Sequence, residues 1–474
     1  MEKHTMANNS TILRAAHKAW ASAASLRAHR LRNKQFTYGD QWIDMVVNHQ
    51  GQRMSEWQHY CDGDGSPITN NVLRQLVKTI VGRFRSQYMN GRQEASRAAH
   101  DTQEEAGHHL VTARDELDSR ALEEFLISGC CIQRVDKWQE LFEAKPRLTN
   151  VNLNRFFVNA ISDPLARDCE LVGQLHDMSV AELLKHVAQG SRRKAAWVRR
   201  LYSENAGERM ADFAARIGAD SHSSTQFWNA EAGKCRAIEV WTLESREVLV
   251  CHDRALGKAY VAPLSALREL KSKPNVTHRW DIATTWHCRW FSPMGDLLCD
   301  YESPYAHGSH PYVLKFYPLT DGEVHGFIED VIDQQKFINR LITLIDRIMR
   351  ASAKGVLLYP DTALPDGLTW GEVRQIWQNC NGILPYSPAM GEAKPEQITV
   401  NNTNFGAYEM VQLQLKLLEE ISGVSGALQG KNINTSGSAS LYQRQADNSN
   451  IALTDIFETF NHFRACRDKK MRSM

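Results

Sequence analysis

Apolar positions along the chain fall into two patterns. Long segments repeat at steps of three and four, and shorter ones alternate or run continuously. Residues 10–35 read as a helix rich in cations (Arg14, Lys18, Arg27, Arg30, Arg32, Lys34). A turn follows at Tyr38-Gly39-Asp40-Gln41-Trp42. From Asn70, the spacing of Val72, Leu73, Leu76, Val77 and Ile80 predicts a second helix. A third, about 110–128, carries Leu117, Ala121, Leu122, Phe125 and Leu126 and stops at Gly129, a left-handed cap. Cys130 to Val135 and Asn154 to Ala160 read as strands, with a turn at Asp163-Pro164. Helices are expected from Glu182 to Val187 and over 190–215, then a Gly/Ser/Asp/Asn-rich linker from Gly218 to Gly233.

Strand patterns dominate next. Ala237–Trp241 and Glu247–Val250 read as two strands with turn residues between them. Leu264 to Lys271 is a short helix closed by Pro274. Thr277 to Phe291 reads as strand, 292–296 as a hairpin turn, Leu297 to Tyr301 as its return, and Tyr312 to Phe316 as a further strand. The clearest helix runs from about Gly326 to Arg350. Its apolar stripe is Ile328, Val331, Ile332, Ile338, Leu341, Ile342, Ile345, Ile348 and Met349, with Gln335 inside it. Acids at its start and cations at its end suit the helix dipole. At 1.5 Å per residue it is roughly 35 Å long. Val356 to Tyr359 is a strand, about 406–421 a second strong helix, and about 438–470 a last, basic one.

Charge barely changes this picture. The 474 residues hold 56 Lys+Arg against 55 Asp+Glu, which argues against a protein that coats nucleic acid with cations. Apolar residues at 42% supply ample core material, so disorder of the whole is excluded. No apolar run reaches membrane-span length, and the first residues lack a signal-peptide core, so neither a membrane nor secretion is expected. The ten cysteines show no CxxC spacing and read as reduced, mostly buried thiols; Cys130-Cys131 reads as a packed pair.

The motifs that would carry chemistry fail in detail. The segment 423–431 ends in Gly430-Lys431, but a phosphate loop needs glycine where Ser425 stands and Ser or Thr where Asn432 stands. Asp62-Gly63-Asp64-Gly65 begins like a calcium loop, but Pro67 and Leu73 occupy its glycine and glutamate positions. Asp300, Glu302, His307 and His310 could form a metal-dependent hydrolase or nuclease site, at a spacing that matches no compact motif. Basic clusters at 192–200 and 464–472 could serve a nucleic-acid-binding scaffold, but neither carries interleaved aromatics. No catalytic residue, cofactor or metal ligand is assigned.

Several short segments together resemble the portal proteins of tailed bacteriophages, nearest those of short-tailed phages. They are Tyr38–Trp42 with Asn70-Asn71; the helix ending at Gly129 and its strand; strand 154–160 with Asp163-Pro164-Leu165-Ala166-Arg167-Asp168; His310-Pro311-Tyr312 with Asp333-Gln334-Gln335 and Ile338-Asn339; and Gly423–Gly430 with Ser436–Ala439. They span about residues 30–445.

The resemblance implies an α+β, mainly helical, elongated subunit that forms a ring, usually of twelve, at one capsid vertex. Double-stranded DNA passes through its channel. The terminase large subunit docks on it, tail adaptors replace the motor later, and major capsid and scaffolding proteins surround it. ATP hydrolysis belongs to the terminase, so no enzyme activity is expected here. The protein would reside in the virion, and in the host cytoplasm during assembly.

By the same resemblance, 1–233 would be wing, 234–274 the passage to a first stem helix (264–271), and 275–325 the clip. Then 326–350 would be the second stem helix, 351–405 a return to the wing, 406–437 a channel-bordering helix and loop, and 438–474 the entry to a partial crown. Asp333, Gln334, Gln335, Ile338, Asn339, Ile342 and Ile345 would lie on the ring wall, and Gly426, Gln429, Lys431 and Asn434 on the channel loop. Trp286, Arg289 and Asp296 would serve docking at the clip.

Overall fold

The computed structural model describes residues 2–48, 50–61, 66–98, 104–140, 143–188, 190–202, 225–254, 257–273, 275–354, 356–359, 364, 367–378, 396–398, 406–424 and 451–474. The chain divides into two compact units. Unit 1 comprises Met1–Tyr38, Leu73–Asp330 and Gly423–Met474; unit 2 comprises Gly39–Val72 and Val331–Ser422. Both sides of residue 233 belong to unit 1. With 49% helix and 27% strand, the class is α+β.

The helices are α1 (Glu2–Ser22), α2 (Ala24–Tyr38), α3 (Glu56–Tyr60), α4 (Val72–Ala98), α5 (Glu104–Ser128), α6 (Val180–Val187), α7 (Arg192–Leu201), α8 (Thr225–Trp228), α9 (Leu267–Lys271), α10 (Glu329–Lys354), α11 (Trp370–Gln378), α12 (Ala407–Ser422) and α13 (Thr454–Arg472). The strands are β1 (Met45–Val47), β2 (Arg53–Ser55), β3 (Cys130–Glu140), β4 (Glu143–Asn150), β5 (Phe156–Val158), β6 (Leu171–Met178), β7 (Cys235–Asp253), β8 (Lys258–Pro263), β9 (Val276–Phe291), β10 (Leu297–Glu302), β11 (Tyr312–Phe316), β12 (Pro318–Thr320), β13 (Glu323–Val324), β14 (Val356–Leu358) and β15 (Glu396–Ile398).

Unit 1 is built on a sheet of order β10-β9-β7-β6-β5, with β8 also paired to β7. All its pairings are antiparallel. The two strands expected over 237–250 are one strand of 19 residues, β7. Its middle, Leu243-Glu244-Ser245-Arg246, reads as a turn by composition. β9 pairs with it from Ile238↔Phe291 to Asp253↔Val276, and those continuous partners hold it extended. Sequence reading also missed β6, whose Gly173 sits where a Cβ would meet the Glu239 carbonyl at 2.1 Å.

One face of this sheet packs Leu175, Ile238, Val240 and Phe291 against Leu13, Ala16 and Trp20 of α1 and against Phe227 and Trp228 of α8. The other buries Phe156, Val172, Trp241 and Cys288. There it meets Leu183, Val187, Val198 and Leu201 of α6 and α7, and a second sheet of order β11-β3-β4. Coverage on both faces explains why Ala237–Trp241 is apolar without a strict alternation. The cation-rich segment 10–35 is two helices. Arg30 of α2 is buried against Glu124, and the buried Arg27 guanidinium donates to the Trp20 carbonyl at 2.6 Å while lying 3.7 Å over its ring.

The short helix at 264–271 is a 3-10 turn, Leu264–Ala266, followed by α9. Its Leu270 closes a local core with Leu249, Cys251, Ala262 and Val276. Eight residues rise only about 12 Å as α-helix. The last helix, α13, begins at Thr454; residues 438–450 of the expected span, the channel loop from 425, Pro274 and residues 218–224 of the linker lie outside the described residues.

Gly129 ends α5 at φ +68°, donating its N–H to the Phe125 carbonyl at 2.9 Å. A Cβ there would meet the His325 carbonyl oxygen at 2.5 Å. Gly129→Ala should therefore cost about 1–3 kcal/mol, read as a lowered midpoint in urea unfolding. An unchanged midpoint would show that this cap tolerates a side chain.

Candidate functional site

In unit 2, helix α10 presents a row of polar side chains one turn apart, and that row binds an extended stretch of backbone. Gln335 Oε1 accepts from the Val72 N–H at 3.0 Å, Asn339 Oδ1 from Asn70 at 3.0 Å, and Thr343 Oγ1 from Ile68 at 3.1 Å. Gln335 Nε2 donates back to the Asn70 carbonyl at 2.7 Å, and Asn339 Nδ2 to Gln41 Oε1 at 2.6 Å. Gln41 Nε2 then donates to Asn71 Oδ1 at 3.1 Å. A second row carries charge. Lys336 pairs with Asp44 at 2.6 Å, Arg340 donates to Glu56 at 2.7 Å, and Arg347 bonds the Tyr60 carbonyl. The Asn70-Asn71 and Gln41-Trp42 motifs are thus half of a ladder whose other half is Gln335-Asn339.

This sorts the residues expected on the ring wall. Gln335, Ile338 and Asn339 are buried inside unit 2, against their own chain. Asp333 is exposed, and Gln334, Ile342 and Ile345 are half-buried. Phe337, Leu344 and Met349 of the same helix are exposed large apolar residues. In α12, Tyr408, Met410, Leu413 and Ile421 are exposed as well.

The residues expected to dock partners at 275–325 sit in the sheet of unit 1. Trp286 is buried with its ring edge-on to His310, 4.7 Å between centroids. Arg289 is buried and bonds Glu244, Asp300 (3.2 Å) and Thr242 (3.2 Å). Both side chains pack within the sheet. Asp296 closes the hairpin turn, donating its N–H to Ser292 Oγ at 3.1 Å. Gly426, Gln429, Lys431 and Asn434 lie outside the described residues.

The four candidate metal ligands do not converge. Asp300 pairs with Arg289, and Glu302 with Arg246 at 3.4 Å. His307 Nδ1 accepts from the Ser309 N–H at 3.1 Å and His310 Nδ1 from the Tyr312 N–H at 3.2 Å. Burial pushes His307 down to about 4 and His310 well below its ordinary value, so both rings are neutral. Among the described residues no group of three or more His, Cys, Asp or Glu is placed to hold a metal.

The two basic clusters differ. Arg192, Arg193, Arg199 and Arg200 lie exposed on α7, a solvated face. In α13, by contrast, Arg464 and Arg467 are buried on Asp118, Arg464 at 2.8 Å. Lys470 donates to the carbonyls of His310 (2.8 Å) and Tyr312 (2.7 Å), and burial pushes it down to about 8. Most of that cluster is therefore internal glue. Cys130 and Cys131 are buried; burial pushes Cys130 up to about 12, which makes it a packed thiol and no nucleophile.

The sequence reading missed the most buried charge, Glu239 on β7. Its Oε2 accepts from Arg134 of β3, from His176 Nε2 of β6 at 2.7 Å and from Tyr312 Oη of β11 at 2.9 Å. Oε1 accepts from Trp241 Nε1 at 2.8 Å. Arg134 also pairs with Asp136 at 2.8 Å, and Asp136 accepts from Tyr305 Oη at 2.9 Å. The cluster joins the two sheets. Burial alone would raise the Glu239 pKa, but Arg134 and the surrounding donors overcome it and hold the carboxyl well below the usual carboxylate range. Burial also keeps His176 neutral, its ring stacked on Trp290 at 4.8 Å. The available signal was an acid inside an apolar strand run, Ile238-Glu239-Val240-Trp241.

The buried Glu239 is held by four donors, the polar row of α10 is spent on backbone, and several large apolar side chains stay uncovered. The sequence model for the Phage P22-like portal protein family matches residues 13–466, and the chain belongs to that family. It is a phage portal protein of the short-tailed P22 type, a head-to-tail connector that serves DNA packaging. The family is a structural one, a component of the virion capsid, and implies self-assembly into a ring with capsid, DNA and terminase partners. A comparison with curated proteins found no match. No described helix is long and apolar enough to cross a membrane.

Removing the charge of Glu239 leaves Arg134 with Asp136 as its one remaining ion pair among the described residues. Glu239→Gln should cost about 3–5 kcal/mol in denaturant unfolding. The folded carboxyl is held below its ordinary 4.5, so its contribution is present above that pH and lost as pH falls through it. The thermal midpoint of the parent should drop steeply below pH 4.5, and that of the variant less so. Parallel profiles would show that Glu239 does not carry the acid sensitivity. Ile338→Asp places a carboxylate in the core of unit 2. It should destabilise the subunit itself by several kcal/mol, visible as a lowered melting temperature even without assembly.

Proposed function

We propose that this portal subunit forms a ring, of about twelve copies in the usual portal arrangement, with α10 on its wall. The observation that carries this is the division of labour on that helix. One side is consumed by the polar ladder and by Ile338. Phe337, Leu344 and Met349 remain uncovered at 37%, 50% and 66% exposure, with half-buried Leu341 and Ile348 among them. The steps from 337 to 341, 344 and 348 are four, three and four, the spacing of a seam between packed helices. Asp333, Gln334, Ile342 and Ile345 flank the ladder and complete the proposed wall.

The wing, stem, clip and crown plan keeps the segments named above, with two changes. Strands β9 to β11, within the clip span 275–325, are hydrogen-bonded into sheets that also hold β3, β5 and β6 of the 1–233 span, which supports reading them with that span. The helix at 264–271 is short and spent on a local core, which supports leaving the stem to α10. Docking of the terminase large subunit and later of tail adaptors, contact with major capsid and scaffolding proteins, and assembly in the host cytoplasm complete the reading. The near balance of 56 cations and 55 anions suits a conduit, since strong phosphate binding would hold DNA that has to slide. The channel loop with Gly426, Gln429, Lys431 and Asn434 would border that path.

Electron microscopy of the purified protein should show rings with a central hole, and Leu344→Asp should lower ring yield at least tenfold while the melting temperature of the subunit stays within a few degrees. Monodisperse monomers of the parent at several salt concentrations would remove the ring reading. Normal rings from Leu344→Asp would move the wall elsewhere.

A further inference from the structure

Beyond Thr242 on β7 and His287 on β9, the large sheet of unit 1 narrows to three strands in the order β8-β7-β9. β6 pairs β7 only as far as Thr242, and β10 reaches β9 only from His287 onward. The Ser303 N–H to the Trp286 carbonyl, 2.8 Å, is the last bond on that side. Among the described residues, nothing pairs with the outer edge of β9 over 276–285 or with the outer edge of β8. Each edge turns the N–H and C=O of every second residue outward. Soluble proteins rarely leave so long an edge open without a bulge, a cover or a partner.

Both edges are also apolar where they are open. β9 exposes Trp280 (53%) and Ile282 (54%), and β8 exposes Tyr260 (39%) and Val261 (57%). Trp280 lies across from Leu249, which lies across from Ala262; His278, Cys251 and Tyr260 form the next row. Trp280, Ile282 and Tyr260 thus share one face of the sheet. The middle of that face is already closed by Leu270 of α9 over Leu249 and Cys251, so the exposed residues lie at its two sides. The charge on β9 cancels locally, with Arg279 and Asp281 paired at 3.0 Å, so no like-charge barrier guards the edge.

We infer that the β9 edge of one subunit pairs with the β8 edge of the next copy of this chain, continuing the three-stranded end from subunit to subunit. The inference rests on the ring reading, which makes the partner a second copy. A ring needs a head-to-tail contact between two different patches of the same subunit, and this sheet end supplies two. The directions agree: β8 and β9 are both antiparallel to β7, so β9 and a neighbour's β8 would run parallel. The faces agree too, because a continued sheet sets Tyr260 of the neighbouring copy on the same side as Trp280 and Ile282.

Hydrogen exchange of wild-type rings against dissociated subunits tests this. The inference requires amides in both 258–263 and 276–285 to exchange at least tenfold more slowly in the ring. Equal exchange in either segment overturns it and leaves the ring intact as a finding. Trp280→Glu with Ile282→Glu should reduce ring yield at least tenfold without a change in the subunit's circular dichroism, and added Tyr260→Lys should restore it. Rings forming from the double glutamate variant as from the parent would also overturn the edge contact. A parent that forms no ring would bring down the ring reading itself, and this contact with it.

Discussion

A carboxylate shielded from water holds the two sheets of unit 1 together. Glu239 stands on β7 of the large sheet and is 0% exposed. Two of its donors, Arg134 and Tyr312, come from the smaller sheet, and two, His176 and Trp241, from its own. Burying one charge would be prohibitive, and burying it with four donors, one of them an arginine, is not. The arrangement fixes how the sheets meet, since a shift of either one would leave several groups unpaired at once. Asp118 repeats the device where Arg464 and Arg467 dock α13 onto α5, with Gln133 of β3 reaching Arg467 at 3.3 Å. Polar clusters of this kind specify a geometry more than they add stability.

Unit 2 solves a different problem. An extended stretch of backbone around residues 68–72 has N–H groups that no strand satisfies. Helix α10 satisfies them with Gln335, Asn339 and Thr343, spaced so that one helical face meets alternate residues of the extended chain. The cost of that design is that polar residues occupy a face that would otherwise be apolar. What remains apolar on that helix, Phe337, Leu344 and Met349, is left uncovered.

Helix α5 with its Gly129 stop, the long helix α10, the strand β9 and the hairpin at 292–296 were all legible in the sequence. Periodicity, a left-handed glycine and turn residues act locally, within a few residues of where they are read. The continuous β7 was not legible, because Glu244-Ser245-Arg246 breaks the apolar run and only pairing with β9 keeps it extended. The burial of Trp286 and Arg289 was equally invisible, since nothing in their neighbourhood along the chain announces His310, Glu244 and Asp300 as partners. The basic run in α13 looked like a cationic surface until Asp118, about 350 residues earlier in the chain, was found beside it.

The sequence alone determined the elements with strong local signals, the α+β class, the charge balance of 56 against 55, and the family likeness carried by short motifs in a fixed order. Those properties depend on composition and on neighbours along the chain. Only the tertiary structure decided which polar residues are internal. Gln335 and Asn339 look like any polar pair on a helix, and Glu239 like any acid on a strand, until partners more than 60 residues away along the chain take up their hydrogen bonds. Burial and ion pairing are properties of contacts distant in sequence, and no local pattern encodes which of two chemically identical side chains will find its partner.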